Sequence, residues 1–172
     1  MQDLDLPGAL NLFSSRLDTL GHLLSKAQAH FDGSRSFLDQ RLAPDMHPLR
    51  TQVVYACNQP HNLVLWVKGE QPTLDPGPEV ATLEQARVHL EDTKALLLSL
   101  RNAEAVPKRA RIVLGPTLHI DMPAHDYVND FLTPNFYFHL VTAYAILRMA
   151  GVPIGKADYM LHMKRLVPHD SA

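Results

Sequence analysis

The chain is short of the residues that announce a mechanism. Cys57 is its one cysteine, so no disulfide forms within the chain, and a solitary thiol suits a reducing compartment. No sign of charge dominates: 16 Lys and Arg against 18 Asp and Glu leave a formal charge of −2 and a pI of about 6.5. Nothing in that balance recommends a nucleic-acid partner, and no acidic tail is present. No apolar run approaches the ~18 residues that a membrane span needs. The opening MQDLDLPGAL has acids where a signal peptide needs Lys or Arg, so no export signal is read and a cytoplasmic protein is expected. Local signatures are missing too: no His-x-x-x-His, His-Glu-x-x-His, Cys-x-x-Cys, Gly-rich phosphate loop or Gly-x-Ser-x-Gly elbow occurs. What is there is 172 residues, 46% hydrophobic. That is enough for one domain over 1–172, burying roughly two-thirds of its unfolded surface.

Periodicity predicts four helices. Leu6, Leu10, Phe13, Leu17, Leu20, Leu24, Ala27 and Phe31 alternate steps of four and three, with Pro7 harmless near the start and Asp32-Gly33 ending the run. A second helix is expected from Asp45, as its cap, with Met46, Leu49, Val53, Ala56, Leu63 and Val67 on one stripe and a kink or break near Pro60. Gly69 to Ala81 reads as a Pro- and Gly-rich linker. Thr82 and Gln85 then make a capping box for a third helix along Leu83, Ala86, Leu90, Thr93, Leu97 and Leu100, with Arg87 and Glu91 as a surface pair. Arg111 to Leu114 and Thr117 to Ile120 read as a small hairpin around Gly115-Pro116. The last long helix is expected to be capped by Thr133, with Pro134 next and Gly151 as a left-handed stop before Pro153. Lys156 to Leu166 predicts one more short helix. Four amphipathic helices with a long crossover before the last imply an all-α bundle.

The chemistry is expected where Asn135 and His139 sit one turn apart on the last helix, followed on the same stripe by Thr142, Ile146 and Met149. An amide and an imidazole facing inward need polar partners, because leaving them unpaired costs a few kcal/mol. Gln52, Asp45 and His47, at the start of the second helix, are the candidates. Two readings stand: a polar pocket for a small molecule or a metal, or a hydrogen-bonded core histidine. In the first, His139 is the general base or the strong metal ligand. Tyr144 belongs to an aromatic cluster with Phe136, Tyr137 and Phe138 that lines either a pocket or a dimer face; Phe138 is expected in the core. Cys57, on the apolar side of the second helix, is expected to be an inert buried thiol. His119 and Asp121, followed by His125-Asp126, are expected to be solvated hairpin residues.

RLAPDMHPLRTQV (Arg41 to Val53) and FLTPNFYFHLVTAYAILRMAGVPIGKADYM (Phe131 to Met160) resemble an uncharacterised domain-of-unknown-function family grouped with the DinB/YfiT-like superfamily. The resemblance covers nearly the whole chain. It implies an up-down-down-up four-helix bundle, often a homodimer. It also implies a divalent metal, nickel or zinc, held by one histidine on the second helix and an H-x-x-x-H pair on the fourth. Some members are thiol-dependent transferases using bacillithiol, mycothiol or glutathione; others are stress-response proteins. Here His139 matches the second histidine of the pair, while Asn135 and Gln52 stand at the other two positions, with His47 close by. Amides suit nickel and zinc poorly. The expectation is therefore a polar small-molecule pocket of Gln52, Asn135, His139, Asp45 and Tyr144 whose metal site is degenerate or lost, with transfer or hydrolysis as the reaction class. The alternatives are a non-catalytic homodimer, or a metalloprotein using His139 with His47.

Overall fold

Apolar steps of three and four build α1 (Leu6–His30), whose stripe from Leu6 to Ala27 is buried, with Phe31 packed on it just past the end. Asp5 caps the helix, its carboxylate accepting from the Gly8 N–H at 2.9 Å. Asp32 turns left-handed (φ 47°) and stops it. Gly33 lies outside the residues that the computed structural model describes, which are 3–32, 36–73 and 77–166.

Helix α2 (Leu49–Val67) starts four residues later than Asp45. Pro48 disfavours helical backbone at His47, so the helix cannot begin before it. Pro48 itself takes the cap position, and its carbonyl accepts from the Thr51 and Gln52 N–H groups. Asp45 is left exposed in the preceding turn. Of the kink or break expected near Asn58 to His61, the break does not occur. Pro60 is buried inside a continuous helix that packs against α3 and the last long helix. Its missing hydrogen bond costs about 3 kcal/mol, which tertiary packing of the helix must offset.

Past Val67 the linker doubles back along α2. The Asn62 side chain exchanges two 2.9 Å hydrogen bonds with the Thr73 backbone, and Gly77 lies against Val54 and Asn58. Gly77 has φ 82°, and a Cβ there would sit 2.8 Å from Val54 Cγ1, so only glycine fits. The Thr82–Gln85 capping box opens α3 (Leu83–Leu98), and its predicted stripe is buried. This helix runs in the same direction as α2: Thr93 reaches Cys57, and beyond its end Arg109 O accepts from Trp66 Nε1 at 3.0 Å. Arg87 and Glu91 do not pair. Arg87 donates to Ser25 Oγ on α1, and Glu91 pairs with Lys94, which also reaches Asp18.

Strands β1 (Arg109–Val113) and β2 (His119–Pro123) form an antiparallel hairpin with Arg111 opposite Asp121. The chain then enters a turn of helix (Ala124–Asp126), a π-helical segment (Tyr127–Leu132) and α4 (Thr133–Met149) without interruption. Thr133 therefore does not cap; its N–H donates back to Val128 O, five residues earlier. Pro134 explains the wider turn. A proline cannot bond to the carbonyl four residues back and its ring crowds that carbonyl, and a π bulge just before it relieves both. At the far end Gly151 (φ 88°) closes a Schellman motif: Val152 N–H donates to Leu147 O and Gly151 N–H to Arg148 O. The predicted tail helix is α5 (Lys156–Tyr159), followed by a 3-10 turn (Leu161–Leu166).

Cross-contacts fix the directions. Tyr127 packs on Trp66 near the end of α2 while His139 meets Gln52 near its start, so α4 opposes α2. Phe13 packs on Phe136 and His30 lies by Gly151, so α1 parallels α4. Asp18 with Lys94 and Ser25 with Arg87 set α1 against α3. The result is an all-α, up-down-down-up four-helix bundle with its hairpin in the crossover. No helix among the described residues is long and apolar enough to cross a membrane.

Candidate functional site

Gln52 sits one turn into α2 and is 2% exposed. Its Nε2 donates to the His47 carbonyl at 3.1 Å, so its oxygen is the atom left to face α4. That oxygen lies 2.8 Å from His139 Nδ1. An amide oxygen can only accept, so Nδ1 carries the imidazole proton and Nε2 carries the lone pair. The rings of Tyr55, one turn beyond Gln52, and of Phe138 each pack edge-on against His139 with centroids 5.2 Å away. Tyr55 also packs on the His47 ring at 5.2 Å. Burial, and next the neighbouring His47, push the His139 pKa down to about 4, so the ring is neutral at pH 7.

The predicted site residues separate into three groups. Gln52 and His139 are joined directly, and His47 is tied to them through its backbone and through Tyr55. Asn135 is half-buried on the His139 stripe and makes no side-chain hydrogen bond among the described residues. Asp45 and Tyr144 are not brought in: Asp45 is exposed in its turn, and Tyr144 packs on Tyr159 of α5 at 5.7 Å. Tyr144 lies five residues from His139, which places it well around the helix. Met149, expected on the inward stripe, is exposed, and Phe138 is not core but 58% exposed. Tyr55 was the residue missed; it follows Gln52 by three, so a helical face carries both. Several cavities among the described residues lie away from this pair. One of about 300 Å³ is lined by Asp3, Lys108 and His125, and others border Gly77 to Val80.

A three-histidine nickel or zinc centre does not fit this donor set. Two of the three positions are amides, and His139 Nδ1 is committed to one of them. Among the described residues no three His, Cys, Asp or Glu side chains are grouped to hold a metal ion. Cys57 is fully buried and its thiol is pushed up to about 12 by desolvation, so it is no nucleophile. On the hairpin, Asp121 is claimed by Arg111 at 2.9 Å, with His119 at 3.5 Å, and all three are exposed.

Helix order, the back-running linker and the paired positions on α2 and α4 define a DinB-like bundle. The crystal structure of a DinB family member protein from Shewanella denitrificans is similar to it at 28% identity over 88% of each chain, with a TM-score of 0.70. The chain belongs to the family described as a domain of unknown function, DUF1993, whose model matches residues 8–160. No curated protein matches it.

Proposed function

We propose that the Gln52–His139 pair is the working centre of this protein, binding a small molecule at the start of α2 and using His139 as a proton acceptor. One observation carries the reading: the 2.8 Å hydrogen bond that fixes the imidazole as the neutral Nδ1–H tautomer, its partner held in turn by the His47 carbonyl. An imidazole oriented from behind keeps its other nitrogen available as a base or ligand, the logic that a supporting partner supplies to working histidines generally. Asn135 adds an uncommitted amide beside it, while Tyr55 and the exposed Phe138 give apolar edges to grip an organic body. The reaction class is proton abstraction in a group transfer or hydrolysis on a small molecule. Native mass spectrometry of the purified chain tests the reading: a co-purified molecule released by His139→Ala is expected. A chain that carries none, and that binds nothing from a metabolite extract at this histidine, contradicts it.

A second reading has its own observation. Gln52 is almost fully buried and ties three segments together, as a purely structural network does. In that case His139→Gln lowers the melting temperature and changes no binding.

The partner we propose for the assembled protein is a second copy docked along α4. From Phe131 to Leu147 the helix has no Asp, Glu, Lys or Arg, yet Phe138 and Val141 are exposed, with Met149 beyond them. A face without charge can meet its own copy across a two-fold axis without repulsion. Sedimentation equilibrium is expected to give a dimer that Val141→Glu dissociates; a monomer at all concentrations contradicts it.

A further inference from the structure

Where α1, α4 and α5 meet, a guanidinium and two phenols come together without a carboxylate to pair them. Arg16, half-buried in the middle of α1, donates from Nε to the Tyr137 hydroxyl on α4 at 3.0 Å. Its Nη1 donates to Ser15 Oγ at 2.8 Å. Among the described residues, the second Nη1 hydrogen and both Nη2 hydrogens meet no acceptor, and Arg16 forms no ion pair. Tyr159 of α5 lies close enough for its phenol to feel both Tyr137 and Arg16. Burial, and next Tyr137, raise that phenol's pKa against the opposing pull of Arg16, so at neutral pH it keeps its proton and can donate it. Tyr144, two turns beyond Tyr137 on the same stripe, packs its ring on Tyr159 at 5.7 Å. The adjacent Asp158 is not available as a partner. It is bound to His22 at 2.8 Å and to Lys26 at 3.1 Å, and so pins to α1 the turn that presents Tyr159. His139 is two residues from Tyr137, roughly 200° around α4, so this cluster is separate from the Gln52–His139 pair.

We propose that Arg16, Tyr137 and Tyr159 form a second binding site, for the carboxylate of a small aromatic acid. The donors decide the sign of the ligand. The unmet guanidinium hydrogens lie in one plane, and a carboxylate fills such a fork with two parallel bonds. Tyr137 accepts from Nε, which leaves its own proton to donate, and Tyr159 offers a second hydroxyl. Half-burial of the guanidinium strengthens a charge pair here relative to one in open water. The charge also selects. One guanidinium matches a carboxylate one for one, whereas a phosphate dianion brings two negative charges to a single positive one. A cation meets Arg16 and no anionic partner, and an uncharged amide forgoes the charge pairing. The Tyr144 and Tyr159 rings, set edge to face at 66°, give an aromatic body a flank beside the donors.

The test titrates sodium benzoate into the full chain carrying ¹⁵N-labelled arginine, with benzamide as the uncharged control and inorganic phosphate as the competing anion, all at one ionic strength. The Arg16 Nε–H signal is identified by its loss in Arg16→Gln. A saturable shift of that signal is expected with benzoate and not with benzamide or phosphate. By calorimetry, Arg16→Gln is expected to weaken benzoate binding at least about tenfold, through loss of the charge-assisted bonds, and Tyr159→Phe about threefold, through loss of one hydroxyl. Tyr159→Phe keeps the ring and removes a hydroxyl that makes no hydrogen bond to any described residue, so it carries the test alone should Arg16→Gln unfold. Benzoate that produces no saturable shift of Arg16 overturns the proposal. So does equal binding of benzamide, phosphate that displaces benzoate at equal concentration, or a Tyr159→Phe chain that binds benzoate as tightly as the wild type.

Discussion

Two histidines tie the bundle together at different junctions, and their partners differ by one functional group. Where α4 meets α2, His139 faces the amide of Gln52 at 2.8 Å. Where α1 meets α5, His22 Nε2 faces the carboxylate of Asp158, also at 2.8 Å. The distances are equal and the consequences are not. Asp158 gathers His22, the Gly155 N–H and Lys26, and these hold its carboxyl well below the usual carboxylate range. That junction is an ion cluster on a half-exposed surface. The amide brings no charge, so nothing at the other junction offsets desolvation of an imidazolium, and His139 stays neutral with a free lone pair. The partner's chemistry, rather than the hydrogen bond itself, decides which histidine is a clamp and which is available for work.

The largest effect should come from breaking the buried amide. Gln52→Leu strands the His47 carbonyl and His139 Nδ1 together, and is expected to cost about 1–3 kcal/mol of stability, read by urea unfolding. Asp158→Asn should cost less, about 1 kcal/mol at neutral pH, because its ion pairs are partly solvated. Its sign with pH is set by the lowered carboxyl. The stabilisation is complete above the ordinary value of 3.8 and is lost as pH falls further, so wild type and variant should converge in acid.

His139 predicts a different pH window. Its pKa falls from 6.5 unfolded to about 4 folded, so the unfolded chain binds more protons between those values and stability drops as pH falls through them. His139→Gln should flatten that part of the stability profile, in thermal melts taken from pH 7 to 4. The smallest and most instructive change is Gln52→Glu, which gives the α2–α4 junction the carboxylate of the other. The His139 titration should move upward, toward or beyond 6.5, with little change in fold.

Much of the architecture was legible because it is written in local spacing. The α1 stripe, the Thr82–Gln85 box and the Gly151 stop are each decided within one or two turns of chain. The errors cluster at prolines. Pro48 delays α2, Pro60 is carried through by its neighbours, and Pro134 forces a π segment where a cap was expected, since packing around a proline decides whether a helix ends there. The Gln52–His139 contact was within reach of the sequence through helical spacing and the resemblance. Tyr55 needed only the observation that it shares a face with Gln52. The His22–Asp158 bond, between residues 136 apart, and the Arg16–Tyr137 bond, between residues 121 apart, had no local signal at all.

The central claim is that Gln52 holds His139 as a neutral imidazole protonated on Nδ1. Long-range ¹H–¹⁵N spectra of the imidazole rings read both the tautomer and the titration directly. The account predicts an Nδ1–H signal with an unprotonated Nε2 at pH 7, and a midpoint near 4. A ring protonated on Nε2 at pH 7, or one titrating at 6.5 as a solvated histidine does, would contradict it.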